Sequence, residues 1–241
     1  MATVNVHGFT VIELMLFLGV TGALFAALMV GVNSNITSQR YRESVQTYSS
    51  LLQDQYSQVA NTQDDRDDNW KCVDGTVTQQ PGGGDVRGTS PCVLLGRAIQ
   101  VTDNGTSIKT TAVVGAEPAG LSATSDIDTL VAYKPTLASL FDSKTSSVDW
   151  GSKLVSTDHN TSIASFLILR SPASGLLRVF ASSMPLPADL STMIVPATAA
   201  TPIVNCMQGS TGPNPIQSIT VDPRVAGQAG VKVNEADPAC E

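Results

Sequence analysis

Few side chains in this chain could do acid–base chemistry, and their spacing does not favour it. The two histidines are His7, close to the N-terminus, and His159 in "STDHNTS". Asp158 precedes His159, but adjacent residues do not face each other as a Ser-His-Asp relay demands, and no G-x-S-x-G turn occurs. A lone histidine cannot supply the three or four ligands that zinc wants. In "TQDDRDDNWKC", Asp65, Asp67 and Asn69 alternate like the opening of a calcium loop. The glycine and the distant bidentate Glu of such a loop are missing, so the segment reads as a solvated linker. The Gly-rich "QQPGGGDVRG" at 79–88 lacks the Lys-Ser/Thr of a phosphate loop and reads as a flexible surface loop. We therefore expect no enzyme: no catalytic residue, no cofactor and no metal. The triplets at Asn35, Asn104 and Asn160 match an N-glycosylation acceptor, a pattern too frequent by chance to decide anything.

Cys72, Cys92, Cys206 and Cys240 are even in number and none lies in a close-spaced metal motif. Small polar surroundings such as "WKCVDG" and "SPCVLLG" suit disulfides in an oxidising compartment. Four cysteines allow three pairings, and sequence neighbours close the shorter loops, giving Cys72–Cys92 and Cys206–Cys240. Each pair then flanks a stretch unsuited to ordering itself, the Gly-rich segment and the Pro-containing tail. Loops of about 20 and 35 residues imply roughly 3–4 kcal/mol each in the chain-entropy model.

One more carboxylate stands out by its setting. "HGFTVIELMLFLGVTGALFAALMVGV", residues 7–32, is a long apolar run holding a single acid, Glu13. A carboxylate in hydrocarbon costs about 2.5–3.5 kcal/mol or more on insertion scales. From Leu14 to Val32 nineteen residues carry no formal charge, about 28 Å of helix and close to the bilayer core. The net charge is −7, from 14 basic and 21 acidic residues, with no basic cluster. Nucleic acid or anionic lipid bound by charge is thereby excluded. The flanking charges alone, Arg40 and Arg42 after the run and none before it, would put the C-terminal side in the cytoplasm. The cysteines argue for the opposite orientation.

A secretory signal would have a basic start, a shorter apolar core and a small-x-small site after that core. Here the order is inverted, with a polar leader, then Gly8, then the apolar run. Gly8-Phe9, a Glu fifth after the cut and an uninterrupted apolar helix together resemble the type IV pilin and pseudopilin family, including its minor components. The resemblance covers about 25 residues. It implies cleavage between Gly8 and Phe9 by a prepilin peptidase, methylation of the new Phe9 amine, and a head outside the cell membrane. It further implies assembly with other pilin or pseudopilin subunits on an inner-membrane platform, into an extracellular filament. Glu13 then has an implied partner, the Phe9 amine of a neighbouring subunit. In the pilin family the C-terminal disulfide often braces an exposed loop, which matches Cys206–Cys240. The leader "MATVNVHG" departs from the family's usual leaders in having no Lys or Arg. The reading of another class is a singly anchored extracytoplasmic binding or enzymatic domain with a pilin-like N-terminus.

These features need elements to position them. No proline occurs from Phe9 through Thr62, and Tyr41, Val45, Tyr48, Leu52, Tyr56 and Val59 recur at spacings of 4, 3, 4, 4 and 3. That is a helical apolar stripe, so one helix is expected over 9–62, with 9–32 in membrane or filament core. Gly19, Gly22 and Gly31 with Thr21 are either soft points or small residues for close helix packing. A leader of 1–8 precedes the helix and a head of 63–241 follows. In the head, "VLLGRAIQV" and "TSIKTTAVV" flank Asn104-Gly105, a hairpin signal. "SIASFLILR" and "LLRVFASS" flank "SPASG", a second hairpin, with further strands at "DIDTLVAY" and "IQSITV". Six prolines between 185 and 215 predict a largely loop stretch there. The expected fold is α+β, an antiparallel sheet on the C-terminal half of the long helix.

Overall fold

The computed structural model describes residues 10–61, 70–73, 76–79, 82–86, 89–118, 120, 124–138, 143–158, 164–210, 217–235 and 237–240. It is α+β. A long helix, α1 (Val11–Ala60), precedes twelve strands and a short helix. The chain divides into two compact units, Met1–Arg40 and Tyr41–Glu241.

In the first unit, α1 shows apolar side chains on every side. The large ones from Val11 to Val32 are between 52% and 80% exposed. A helix apolar all round needs an apolar surrounding or partner helices, and α1 is long and apolar enough to cross a membrane.

The second unit starts inside α1, at Tyr41 rather than at residue 63, because the predicted stripe belongs to its core. Tyr41, Val45, Tyr48, Leu52, Tyr56 and Val59 are all buried. After the helix come β1 (Trp70–Val73), β2 (Thr76–Gln79), β3 (Cys92–Thr102) and β4 (Ser107–Ala116), then α2 (Asp126–Ala132). β5 (Thr136–Leu137), β6 (Ser143–Ser147), β7 (Lys153–Val155), β8 (Ser165–Arg170) and β9 (Leu177–Ser182) follow. β10 (Ile203–Gln208), β11 (Gln217–Val221) and β12 (Val231–Asn234) complete the unit.

The strands form three sheets rather than one. β5-β4-β3-β8-β9, with β6 also on β4, make six strands; β12-β11-β10-β7 make four; β1 and β2 pair only with each other. Every described strand pair is antiparallel. Strand alternation gives the six-stranded sheet two buried faces. Phe166 and Ile168 join the α1 stripe in one cluster that also takes in Met207, Ile219 and Val221 of the four-stranded sheet. Leu167 and Leu169 face the other way, onto Leu130 and Tyr133 at α2 and Leu190, Met193 and Ile194 of a 3₁₀ turn. The second half of α1 is thus shared by two sheets, which is why its stripe is broad and aromatic.

Both predicted hairpins form. At the first, Asn104 (φ 57°) and Gly105 (φ +84°) take left-handed backbone. A Cβ on Gly105 would fall on the Leu154 carbonyl, so the turn needs glycine for space as well as for φ. A bulge interrupts β3 between Leu94 and Gly96, where a Cβ would meet the Ile168 carbonyl.

Two expectations are corrected. "DIDTLVAY" is not a strand but α2. Ser125 caps it, its Oγ accepting from Asp128 N (3.1 Å) and donating to Asp128 Oδ2 (2.7 Å). Asp126 and Asp128 suit the positive end of the helix, so capping outweighs the β-propensity of Thr, Val and Ile. The Pro-rich span is largely loop, as expected, and its prolines leave Ile203–Gln208 uninterrupted for β10. The stretch read as linker and loop between α1 and β3 contains the β1–β2 hairpin.

The tyrosine hydroxyls of the stripe differ in how they are satisfied. Tyr41 Oη donates to Met207 O (2.8 Å) and accepts from Gln217 N (2.8 Å), clamping the ends of β10 and β11. Asn205 Nδ2 donates to Tyr48 Oη at 3.5 Å. Tyr56 Oη is buried without a hydrogen-bond partner among the described residues. Burial pushes the Tyr48 hydroxyl upward in pKa and that of Tyr56 to about 12, with the charge of Asp222 adding to the latter. Tyr41→Phe should therefore cost about 1–3 kcal/mol, because it strips partners from a buried N–H and C=O. Tyr56→Phe should be neutral or stabilising, because it removes an unpaired buried hydroxyl. Chemical denaturation of the two variants in parallel checks this; equal losses would refute the assignment.

Candidate assembly site at the helix N-terminus

Gly8 and Phe9, the expected processing and methylation positions, lie outside the described residues, as do His7, His159, Asn160 and the Asp-rich segment 62–69. Glu13 is described, and its environment differs from a bare acid in an apolar run. Leu14 N donates to Thr10 O (3.1 Å), the first α-helical bond, which makes Thr10 the N-cap. Glu13 N donates to Thr10 Oγ1 (3.3 Å), while Thr10 N and Thr10 Oγ1 both reach Glu13 Oε2 (3.3 Å each). This is a capping box, in which cap and third helical residue satisfy each other's backbone donors. Oε1 makes no hydrogen bond among the described residues.

Local sequence dictates this arrangement. Thr10-Val-Ile-Glu13 is the S/T-x-x-E pattern ahead of an apolar run, and the helix N-terminus favours a carboxylate. Thr10 is the residue that reasoning on Glu13 alone misses, and the four-residue pattern is the signal that would have found it. The carboxylate thus has donors within its own chain, and among the described residues Oε1 has none, which leaves it able to accept from a further donor.

Further along α1, Thr21 Oγ1 donates to Phe17 O (2.8 Å) and lies 3.2 Å from Leu18 O. That back-bond removes the cost of a bare hydroxyl in an apolar segment. A Cβ placed on Gly19, Gly22 or Gly31 would meet nothing within 4 Å. Glycine costs about 1 kcal/mol against alanine in a helix. No packing within the described chain requires it at these three positions.

The four cysteines form Cys72–Cys92 and Cys206–Cys240, with Cα separations of 5.6 Å and 5.7 Å, and no cysteine is free. Cys206 in β10 and Cys240 are fully buried. The tail leading to Cys240 is held by Asp237, whose carboxylate accepts from Ser218 Oγ and from Ala239 N. Those hydrogen bonds, Ser218 first, hold the Asp237 carboxyl below its ordinary pKa.

Among the described residues no group of three or more His, Cys, Asp or Glu is placed to hold a metal. A groove of about 380 Å³ beside α1 is lined by Ser44, Thr47, Thr145 and Ser146 hydroxyls with Tyr48, Leu51 and Ile108. Comparison of the chain with protein-family models, with curated proteins and with solved structures gave no match in any of the three.

The capping box predicts a local effect. Thr10→Ala should weaken the first turn of α1 by about 1 kcal/mol. Backbone amides of Val11–Leu14 should then exchange faster with solvent deuterium in detergent micelles, while β3 and β8 amides keep their rates. Unchanged exchange in the first turn would show that the cap contributes nothing there.

Proposed function

We propose that the chain is a prepilin-like structural subunit of a type IV pilus or of a related type II secretion pseudopilus. One observation carries the reading: a helix apolar on all sides opens on Thr10 and Glu13, directly after Gly8-Phe9. In this reading a prepilin peptidase cuts between Gly8 and Phe9, the Phe9 amine is methylated, and α1 anchors the head outside the cell membrane. An assembly platform in the inner membrane then transfers the subunit to a filament of like subunits. The work is mechanical rather than catalytic.

The geometry supplies a physical route. While the subunit is alone, Thr10 provides donors to Glu13 Oε2 and lowers the cost of holding the acid at an apolar boundary. Cleavage creates a positive amine on Phe9, and the open Oε1 can accept from the amine of a neighbouring subunit. Such a pair is much stronger at low dielectric than in water, and an unpaired buried charge is penalised, so docking in the correct axial register is favoured. Gly19, Ala23, Ala27 and Gly31 follow one another at four-residue spacing, a ladder of small residues that lets helix backbones approach closely. That gives two of the unexplained glycines, Gly19 and Gly31, a use: another copy's helix lies there.

Two experiments test the reading. Gly8→Val should leave full-length protein in the membrane; native protein beginning at Met1 or Ala2 by mass spectrometry would remove the reading's support. Glu13→Val should insert as well as or better than the native chain, because the insertion penalty is gone, and should fail to enter filaments. Normal incorporation of this variant would reject the pairing.

A further inference from the structure

We propose that Cys72–Cys92 is a redox-operated latch that holds the β1–β2 arm, while Cys206–Cys240 is a permanent brace. The inference rests on the surroundings of the two bonds and is independent of the filament reading.

β1 and β2 are four residues each and pair with no other strand. A two-stranded hairpin of that length is marginal on its own in water. Its described side chains give it little core: Lys71, Val73 and Thr78 are exposed, Val73 at 49%, and Cys72 alone is buried. β2 lies against β4, and the described bonds that tie the arm to the body meet at Cys72. Its sulfur joins Cys92 at the first residue of β3. Its backbone N donates to Asp85 Oδ2 (2.9 Å), the oxygen that also accepts from Ser90 Oγ (3.3 Å). Ser90 Oγ in turn accepts from Cys92 N (3.3 Å). The hydrogen-bonded ring Cys72–Asp85–Ser90–Cys92 is thus closed by the disulfide.

The other bridge has the opposite setting. Cys206 and Cys240 are both fully buried and pack with Val155 and Val204. Cys206 lies in β10, paired with β11 on one side and β7 on the other. Reduction proceeds by thiolate attack on a disulfide sulfur, so access governs its rate. Cys92 is part-exposed at its strand end, whereas the core bridge offers no approach.

The step balances with an external dithiol as reductant. A dithiol thiolate attacks Cys92 Sγ, the S–S bond breaks, and Cys72 leaves as a thiolate that takes up a proton. The second dithiol sulfur, as its thiolate, then displaces Cys92, which is likewise protonated. The protein gains two electrons and two protons, and the reductant becomes its cyclic disulfide. β3 keeps its ladders to β4 and β8, so the body stays folded and only the arm is released.

The test uses the full chain in detergent micelles treated with dithiothreitol, then iodoacetamide, with peptide mapping and hydrogen–deuterium exchange. Cys72 and Cys92 should be alkylated roughly tenfold or more faster than Cys206 and Cys240. Amides of β1 and β2 should lose protection while those of β10 and β11 keep theirs. The Cys72→Ser/Cys92→Ser double variant should show the same unprotected arm without reductant. Equal or reversed labelling order would overturn the proposal, as would an arm that stays protected in the alkylated protein or the double variant.

Discussion

Unbroken helical hydrogen bonding from Val11 to Ala60 is the constraint on which the rest of this chain depends. A helix satisfies its backbone groups internally, so it can sit in an apolar medium and in a protein core without change of conformation. Side-chain pattern alone then decides what each part contacts. Residues 11–32 are apolar on every side and leave large side chains exposed; residues 41–59 are apolar on one stripe and bury it. The absence of proline from Phe9 to Thr62 is what permits one element to do both. Cutting the helix anywhere would expose up to four donors or acceptors per new end.

In the second unit the stripe must fill the space between a six-stranded and a four-stranded sheet. Tyrosine suits that role because its ring is large and apolar while its hydroxyl can reach a strand backbone. Tyr41 uses that capacity fully, Tyr48 in part, and Tyr56 not at all. Gln55 Oε1 is a second buried acceptor without a partner among the described residues. Each such group costs on the order of 1–3 kcal/mol, which the apolar packing of this end of the stripe must offset. Arg97, buried in β3 and beside Gln58 and Val59, lies against the same end.

What could be read from residue order follows a physical division. The α1 stripe and the two hairpins are short-range patterns whose spacing already implies the contact, whereas the disulfide pairing rests on the preference for shorter loops. The stripe from Tyr41 to Val59 has one period, and Asn104-Gly105 has a backbone preference of its own. Two features were hidden for different reasons. "DIDTLVAY" contains β-formers, and its helical state depends on Ser125, one residue outside the quoted stretch, meeting Asp128. The division into three sheets depends on long-range pairing such as Cys206 with Val155, which no local signal encodes. At the candidate site the carboxylate drew attention by its charge and its nearest donor, Thr10, did not, because threonine before an apolar run looks unremarkable until the spacing to Glu13 is counted.

That spacing changes how Glu13 should be weighed. Treated as a bare acid, it would demand an outside partner at once, and a lone subunit would carry the full penalty of roughly 2.5–3.5 kcal/mol or more. With Thr10 as cap, the acid supports its own helix, a contribution of about 1 kcal/mol. A buried ion pair deprived of one member loses about 3–5 kcal/mol. The outside amine therefore dominates wherever it is offered in an apolar setting, and the cap dominates wherever it is not. Because both cap contacts fall on Oε2, the carboxylate need not give up the first partner to gain the second. Assembly through Glu13 would then add an interaction to a helix start that is already formed, which removes the ordering cost that a loose N-terminus would impose on each docking event.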